Sequence, residues 1–360
     1  MQNTIEQIVE ETGNFSMPRL ADAVWPLIES QPAITAVIEQ LEASLGNSFR
    51  KLTYSILRNA FLIELVKVPK IETTKFRVRW FDQLNNDPRY CSFDECLLIA
   101  QDLLSTLPAW LADPSHAECM TLSFSNGMVP YESPLDYARR FTQQNRLHQR
   151  GNLIWLYDDL VLRTLKLRKY LKDEATSPDR QFFRVVLSDK IKVKTYLTDR
   201  VLTGEYKTNR EKRWETHPNS VHFAERRVCM AIEYALVTQI CAFDGFPAAS
   251  LNQLQKANIL PQDLPTALCP ITGDALSYEA FRNELLKPTH GKSDFQVGHL
   301  NPLKLGNDGE AAGHTSDNIS WISADGNRIQ GSLSLDAVRI LIQRISENYD
   351  QHGWWPQVVD

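Results

Sequence analysis

The chain has 360 residues, of which 43% are hydrophobic and 23% are charged, and its net charge at pH 7 is -5. This length allows two or more domains, each with its own core. No apolar run approaches the roughly 18 residues that a membrane-spanning helix needs, so we do not expect a membrane protein. Six cysteines lie without the spacing of a disulfide framework. The N-terminus lacks a signal-peptide pattern, so the sequence predicts a reduced, cytoplasmic protein.

Positive charge is concentrated in one part of the chain. Residues 139–213 contain 19 Lys and Arg against 9 Asp and Glu, a local net charge of +10 in a chain whose total is -5. Phosphate contacts need local rather than global positive charge, so this segregation favours one DNA-facing surface. A solvated polar helix or linker is the alternative explanation. The candidate DNA-contacting side chains are Arg139, Arg140, Gln144, Arg146, Arg163, Lys166, Lys192, Lys194, Arg210 and Arg213.

The first part of the chain has helical periodicity. Apolar residues recur at three- and four-residue steps, which predicts helices over 20–28, 34–45, 49–68 and 92–111. Residues 76–80 alternate between apolar and basic and predict a short strand. We assign residues 1–135 to a helical N-terminal domain.

The middle of the chain, residues 136–260, is interpreted as a basic DNA-recognition region. Helices are predicted over 153–171 and 223–243, the second connecting this region to the rest of the chain. Between them, residues 182–197 alternate apolar and cationic side chains, which predicts a central hairpin with a basic solvent face. Lys192 and Lys194 lie on that face.

The most informative stretch lies between Cys269 and Gly331. Residues 294–300 predict a strand that ends near His299, since Asn301 and Pro302 break the run. A polar, Gly-rich loop follows over 304–317. Residues 318–323 predict a second strand, and 325–327 offer capping groups to a helix. The predicted order is strand, loop, strand, helix, with a further amphipathic helix over 335–348.

This order resembles the ββα-metal, or HNH, nuclease motif, and the chain is similar in layout to HNH-type type II restriction endonucleases. His299 with Pro302 matches the first part of the motif, Asn318 the second and Asn327 the third. The resemblance implies an α+β fold. A largely helical N-terminal portion with a small β-hairpin or sheet would precede a C-terminal ββα-metal nuclease domain over 261–360.

The resemblance also implies roles for individual residues. His299 would be the general base of phosphodiester hydrolysis, and Asn318 would tie down the loop and orient that base. Asn327 would bind Mg²⁺ or Mn²⁺ through its side-chain oxygen. Gly298 stands where the family usually has a second metal ligand. A related branch has Gly-His here and uses a single Asn; otherwise His314 or Asp294 would complete the site.

The implied activity is divalent-metal-dependent, sequence-specific cleavage of double-stranded DNA. A homodimer is expected because each DNA strand needs its own nuclease site, and a cognate DNA methyltransferase is a candidate partner. No structural zinc is expected, because no Cys-x-x-Cys pair accompanies Cys269. A nonspecific nuclease and a noncatalytic DNA-binding protein with a degenerate nuclease fold remain alternatives. Gly298 is the residue that favours the noncatalytic alternative.

Overall fold

The computed structural model describes residues 17–47, 49, 53, 56–57, 64–67, 74–77, 93–112, 159–175, 177–198, 213, 221–224, 226–289, 293–303 and 313–356. These residues are mostly helical, with two small antiparallel sheets of two strands each, which confirms the α+β class. The chain divides into two compact units, residues 1–174 with 196–230, and 175–195 with 231–360. The expected three-part division, with boundaries at 135 and 260, stays a prediction.

The first unit contains three helices close to the predicted ranges: α1 (Met17–Ile28), α2 (Pro32–Leu45) and α3 (Phe93–Leu111). Each buries one apolar stripe, as the periodicity predicted. Buried Gln101 of α3 joins them by polar contacts. Its amide nitrogen donates to the Ile28 carbonyl at 3.4 Å, and its oxygen accepts from the Gln31 amide at 3.3 Å.

The described residues between 49 and 68 are helical only in part, although the sequence predicted one helix. Buried Phe49, Thr53, Ile56 and Leu57 have helical spacing and conformation. Residues Glu64–Lys67 instead form strand β1, which pairs antiparallel with β2 (Thr74–Arg77). A β-branched residue directly before Pro69 disfavours helix, because proline restricts the residue that precedes it to extended conformations. The small sheet of the N-terminal portion therefore lies here.

The predicted helix over 153–171 is described from residue 159 onward. Helix α4 (Asp159–Lys169) continues into a π-helical turn at Tyr170–Glu174. Its inner side buries Leu165, Leu167 and Leu171. Arg168 of α4 donates to the Tyr196 hydroxyl at 2.7 Å.

The predicted central hairpin over 182–197 is wrong. This segment consists of α5 (Ser177–Val185), a π-helical turn (Val186–Ile191) and the short α6 (Lys192–Thr195). The buried residues are Phe182, Phe183, Val186, Ile191 and Thr195, and their spacing is helical. The apparent two-residue alternation arises from basic residues that occupy the solvent side of helical turns. Burial of two adjacent phenylalanines is the feature that argues against a strand.

The second unit combines residues 175–195 with the C-terminal part of the chain, and that C-terminal part begins within a long helix. Its remaining elements are α7 (Arg226–Cys241, which begins in the first unit), α8 (Ala248–Lys256), α9 (Tyr278–Leu286), β3 (Phe295–His299), β4 (Ile319–Ser323), α10 (Ala324–Gln330) and α11 (Leu335–His352). The predicted order of strand, loop, strand and helix is therefore present in β3, β4 and α10. None of the described helices is long and apolar enough to cross a membrane.

Aromatic side chains form the core under the β3–β4 hairpin. The fully buried Phe281 ring of α9 lies at the centre. Its centroid is 4.8 Å from Trp321, 5.1 Å from Phe295, 5.4 Å from Phe243 and 5.6 Å from Phe182. Because most of these contacts are edge-to-face, they add directional stabilisation to the area buried. The cluster joins both strands to α5, to α9 and to the segment that follows α7.

Polar contacts also fix the hairpin to α7. The Trp321 indole donates to the Leu236 carbonyl at 2.9 Å. The Gln239 side-chain oxygen accepts from the Trp321 backbone N–H at 3.0 Å and from the Ser320 hydroxyl at 3.2 Å. The sheet therefore has both an apolar and a hydrogen-bonded attachment to one helix.

The start of β3 is held by a carboxylate of α9. Glu284 accepts hydrogen bonds from the Ser293 hydroxyl and the Asp294 backbone N–H, both at 2.7 Å. Lys190 lies 3.5 Å from the same carboxylate and donates to Ser293 at 3.1 Å. These contacts fix the position at which β3 begins.

We expect Phe281→Ala to lower the free energy of unfolding by about 3–5 kcal/mol, because it opens a cavity in the aromatic cluster. Ile340→Ala on α11 is the matched control. Ile340 is 67% exposed, so its truncation should change stability by less than about 0.5 kcal/mol. Chemical denaturation of both variants measures the difference, and equal decreases would contradict this description of the core.

Candidate active site

The candidate site lies where the β3–β4 hairpin opens. Val297 pairs with Trp321, Gly298 with Ser320, and His299 with Ile319 as the last pair of the ladder. Beyond this pair, Asn301 and Pro302 end the strand. The hairpin therefore presents His299 at the mouth of its connecting loop, on a backbone fixed by the sheet.

Asn318 bonds to the backbone at both ends of this loop. Its side-chain oxygen accepts from the Asn301 N–H at 2.8 Å. Its amide nitrogen donates to the Asn301 carbonyl at 3.1 Å and to the Gly313 carbonyl at 2.8 Å. The residue is buried, and its two amide protons and its oxygen all have partners. Asn318 therefore acts on the backbone and has no remaining donor to offer a substrate.

His299 contacts a second, buried histidine. Its Nε2 lies 3.0 Å from Nδ1 of His314, which follows Gly313 in the chain. His314 is only 2% exposed, and its Nε2 lies 3.2 Å from the Thr195 carbonyl oxygen of α6. His299 itself is partly exposed. The arrangement connects a solvent-accessible imidazole to a fixed backbone carbonyl.

Gln330, at the end of α10, is a site residue that the sequence did not single out. Its amide nitrogen lies within hydrogen-bonding distance of the His299 carbonyl at 3.1 Å, the Leu300 carbonyl at 2.9 Å and the Leu333 carbonyl at 3.3 Å. The side chain is buried. The sequence offered one signal for this residue, a glutamine directly before the helix-ending Gly331. That pattern does not show which carbonyls the glutamine side chain contacts.

Asn327 lies on the first turns of α10 and faces β3. Its Nδ2 donates to the Gln296 side-chain oxygen at 2.7 Å, and this bond fixes the amide so that Oδ1 points elsewhere. A Cβ placed on Gly298 would lie 3.7 Å from that Oδ1. The same Cβ would lie 2.7 Å from Ile322 Cδ1, so the Ile322 side chain packs against Gly298 beside this amide oxygen.

These residues fit a weak site for a hard divalent cation. Among the described residues there is no group of three or more His, Cys, Asp or Glu that could hold a metal. Asn327 Oδ1 would thus be the protein ligand. Mg²⁺ commonly takes one or two protein oxygens and completes its shell with water and substrate phosphate.

Asp294, a candidate for completing the site, lies at the other end of β3 from His299. Its side chain is exposed, and its backbone carbonyl accepts from Ala324 N–H at 2.9 Å. Five residues of extended chain correspond to roughly 16 Å. The structure does not bring Asp294 together with His299. His314, the other candidate, has both ring nitrogens against neighbouring groups.

Cys269 lies behind the start of α10. Its thiol accepts from the Ser323 hydroxyl at 3.2 Å, and Ser323 also caps the helix by accepting from Gly326 N–H. Burial raises the pKa of this thiol, but hydrogen bonds with Ser323 and Thr272 outweigh that effect and lower it overall. A Cβ on Gly326 would lie 2.7 Å from the sulfur. The thiol therefore packs closely against the helix backbone.

The predicted DNA-contacting residues have different environments. Lys192 and Lys194 are exposed on α6, close to Thr195 in the chain. Arg213 is only 6% exposed and donates to the His222 carbonyl at 3.2 Å, so little of its side chain is available to a DNA backbone. Arg163 and Lys166 are partly buried on α4. The candidates that lie outside the described residues are Arg139, Arg140, Gln144, Arg146 and Arg210.

Known proteins give little guidance. The chain matches no protein-family model, and no curated protein matches it. Among solved structures, it is similar to a chain described as "Crystal structure of a type II restriction endonuclease", with 15% identity, 55% of this chain and 80% of that chain covered, and a TM-score of 0.27. At this TM-score the similarity carries no functional argument.

We expect Asn318→Ala to lower the free energy of unfolding by about 2–4 kcal/mol, because it leaves three partly buried backbone groups of Asn301 and Gly313 without their side-chain partner. Asn327→Ala removes one side-chain hydrogen bond and should cost less than about 1 kcal/mol. Urea denaturation of the two variants gives the comparison. A cost for Asn318→Ala no larger than that for Asn327→Ala would contradict the loop-closing role.

We expect Gly298→Ala to destabilise the protein by about 1–3 kcal/mol, since its Cβ would overpack the hairpin face. The methyl group would lie 2.7 Å from Ile322 Cδ1, so Ile322→Val should relieve the clash. Ile322→Val alone should cost about 0.5–1.5 kcal/mol. In a double-mutant cycle, the combined variant should be more stable than additivity predicts by at least about 0.5 kcal/mol. Additive costs would disprove the contact.

Proposed function

We propose that the protein is a divalent-metal-dependent endonuclease that hydrolyses double-stranded DNA, with an HNH-like site in its second unit. One observation carries the proposal. A hairpin ends at His299, its connecting loop is closed by Asn318, and the following helix directs Asn327 toward the residue beside His299. The proposed base, backbone clamp and oxygen ligand thus follow one another in the order of the HNH motif that the sequence resembles.

In the proposed reaction, His299 acts as the general base. It takes a proton from a water molecule, whose oxygen forms a bond to the phosphorus of a phosphodiester. The bond from phosphorus to the leaving oxygen breaks, and that oxygen takes its proton from solvent. Gln330 and the β-ladder hold the backbone of His299 during this step, so the imidazole needs little reorganisation.

Asn327 would hold the divalent ion through Oδ1. When bound, Mg²⁺ or Mn²⁺ supplies charge stabilisation to the phosphoryl and leaving oxygens. Gln296 keeps the Asn327 amide oriented, because it accepts the hydrogen bond of Nδ2.

Exposed basic residues near the site would hold the DNA backbone. Lys192 and Lys194 lie on α6, whose Thr195 carbonyl contacts His314. Sequence recognition would come from the basic region that includes residues 139–150, and a homodimer would supply one site for each strand. In this respect the protein would act like a type II restriction enzyme with a partner methyltransferase.

We expect the purified protein to cut long duplex DNA into discrete fragments with Mg²⁺ or Mn²⁺, and chelation of the metal to abolish cleavage. His299→Ala should lower the rate by about 10²–10⁴-fold, because it removes the base. The Ile340→Ala variant, altered on an exposed helix face, is the control for general damage. Methylated and unmodified DNA are tested side by side.

Two outcomes would favour the alternatives. A smear that disappears with His299→Ala would indicate a nonspecific nuclease of the same mechanism. Binding of DNA in a gel, with no cleavage by the wild type under any divalent metal, would indicate a noncatalytic DNA-binding protein and would overturn the proposal.

We expect Lys192→Ala combined with Lys194→Ala to weaken DNA binding similarly for all sequences. Loss of both lysine–phosphate interactions should reduce the slope of log K against log salt by about 1.8, or about 0.9 for each lysine. Lys256→Ala combined with Lys287→Ala removes the same charge from exposed positions on α8 and just after α9. Binding titrations at several salt concentrations compare the pairs, and identical slopes would remove α6 from the DNA interface.

A further inference from the structure

His299 contacts His314, a residue that is neither the general base nor the metal ligand of the proposed site. His314 Nδ1 lies 3.0 Å from His299 Nε2, and His314 Nε2 lies 3.2 Å from the Thr195 carbonyl oxygen. His314 is 2% exposed. A buried imidazole therefore connects the partly exposed His299 to a main-chain acceptor on a different element.

The carbonyl determines where the protons lie. A carbonyl oxygen can only accept a hydrogen bond, so His314 must carry a proton on Nε2 to bond with Thr195. In a neutral His314 the Nδ1 atom then holds a lone pair and can only accept. His299 must therefore donate from its own Nε2. In neutral His299, the basic lone pair is consequently on Nδ1.

The position of His314 is fixed in turn by the loop clamp. Asn318 Nδ2 donates to the carbonyl of Gly313, the residue directly before His314, at 2.8 Å. Gly313 has a φ of +69°, a left-handed conformation that a residue with a side chain rarely adopts. The backbone thus turns sharply at Gly313 and directs the next side chain inward, between His299 and Thr195.

We propose that His314 is a positioning residue that holds His299 in the Nε2–H tautomer, so that His299 receives the proton of the attacking water on Nδ1. The role in catalysis rests on the proposed function, but the tautomer assignment does not. In this arrangement His314 does not touch the substrate. It acts by selecting one of the two neutral forms of His299 and one orientation of the ring.

A metal-ligand role for His314 fits these contacts less well. A metal on Nδ1 would have to replace the contact with His299, and a metal on Nε2 would have to replace the Thr195 carbonyl. Neutral imidazole binds a cation through a nitrogen lone pair, and the carbonyl contact requires that Nε2 hold a proton instead. His314 is therefore described better as a hydrogen-bond relay.

The tautomer can be measured without any cleavage assay. The chain has eight histidines, and selective ¹⁵N labelling allows their ring nitrogens to be observed by long-range ¹H–¹⁵N correlation NMR. The spectrum is recorded about two pH units above the ordinary histidine pKa of about 6.5. His299→Ala and His314→Asn identify the two sets of signals. We expect wild-type His299 to be protonated on Nε2 and His314 also on Nε2; protonation of His299 on Nδ1 would overturn the proposal.

Two substitutions at residue 314 test whether His314 sets the tautomer of His299. His314→Leu offers no acceptor, so His299 should populate a mixture of tautomers and kcat should fall by about 10- to 100-fold. The KM for DNA should be unchanged, because a buried residue makes no contact with the substrate. His314→Asn places an amide oxygen near the position of Nδ1. It should return His299 to the Nε2–H tautomer and recover most of the rate.

The outcomes separate the two proposals. If the wild type cleaves DNA and His299→Ala does not, but His314→Leu changes neither tautomer nor kcat, the positioning role is wrong and the nuclease stands. If no form cleaves DNA while the tautomer follows residue 314 as expected, the nuclease proposal fails and the tautomer assignment stands. Should His314→Leu not fold, the wild-type spectrum and the rescue by His314→Asn still decide the question.

Discussion

The closure of the loop between β3 and β4 depends on one buried amide. Asn318 binds the N–H and carbonyl of Asn301 and the carbonyl of Gly313, at 2.8, 3.1 and 2.8 Å. Only an amide offers two donors and an acceptor on so short a side chain. A carboxylate would place oxygen against two carbonyls, and an alkyl group would leave them desolvated. The rest of the site depends on this contact, because it fixes the backbone on both sides of the loop.

From this clamp, constraints extend in two directions. Toward Gly313, the clamped carbonyl sets the position of His314 and through it His299. Toward Asn301, the side-chain oxygen of that residue accepts the Leu335 N–H at 3.3 Å at the start of α11. The His299 imidazole thus contacts His314, which is held by Thr195 of α6, and the His299 backbone is held by Gln330 of α10. Preorganisation of this kind is what a general base needs, since water is activated only within a narrow range of geometries.

The elements around the site could be predicted from the sequence because local signals agree there. β3, β4 and α10 lie within a residue or two of their expected bounds. The expected capping residues were wrong, however: Ser323 caps α10 by accepting from Gly326 N–H, while Asp325 bonds to Arg328 on the surface. The sequence does not show whether a serine at the end of a strand only completes the strand or also caps the next helix. The backbone conformation at that serine decides.

The long-range contacts could not be predicted. Nothing in the spacing of His299 and His314 indicates that their rings meet, and the Thr195 carbonyl that fixes His314 lies 119 residues away in the chain. The hairpin predicted over residues 182–197 is wrong for a related reason. When a short stretch has both two-residue and helical periodicity, its packing partners decide whether it forms a strand or a helix. Here Phe182 packs on Phe281 and Tyr278.

The Gln239 side chain affects how strands of other chains could pair with the outer edge of β4. A two-stranded sheet has two outer edges, and an outer edge with unsatisfied N–H groups can recruit a foreign strand. The Gln239 side chain already accepts from the Trp321 N–H, so at this position the outer edge of β4 is closed by a side chain that copies one hydrogen bond of a neighbouring strand. At Trp321, therefore, the hairpin does not offer an unsatisfied N–H to a foreign strand.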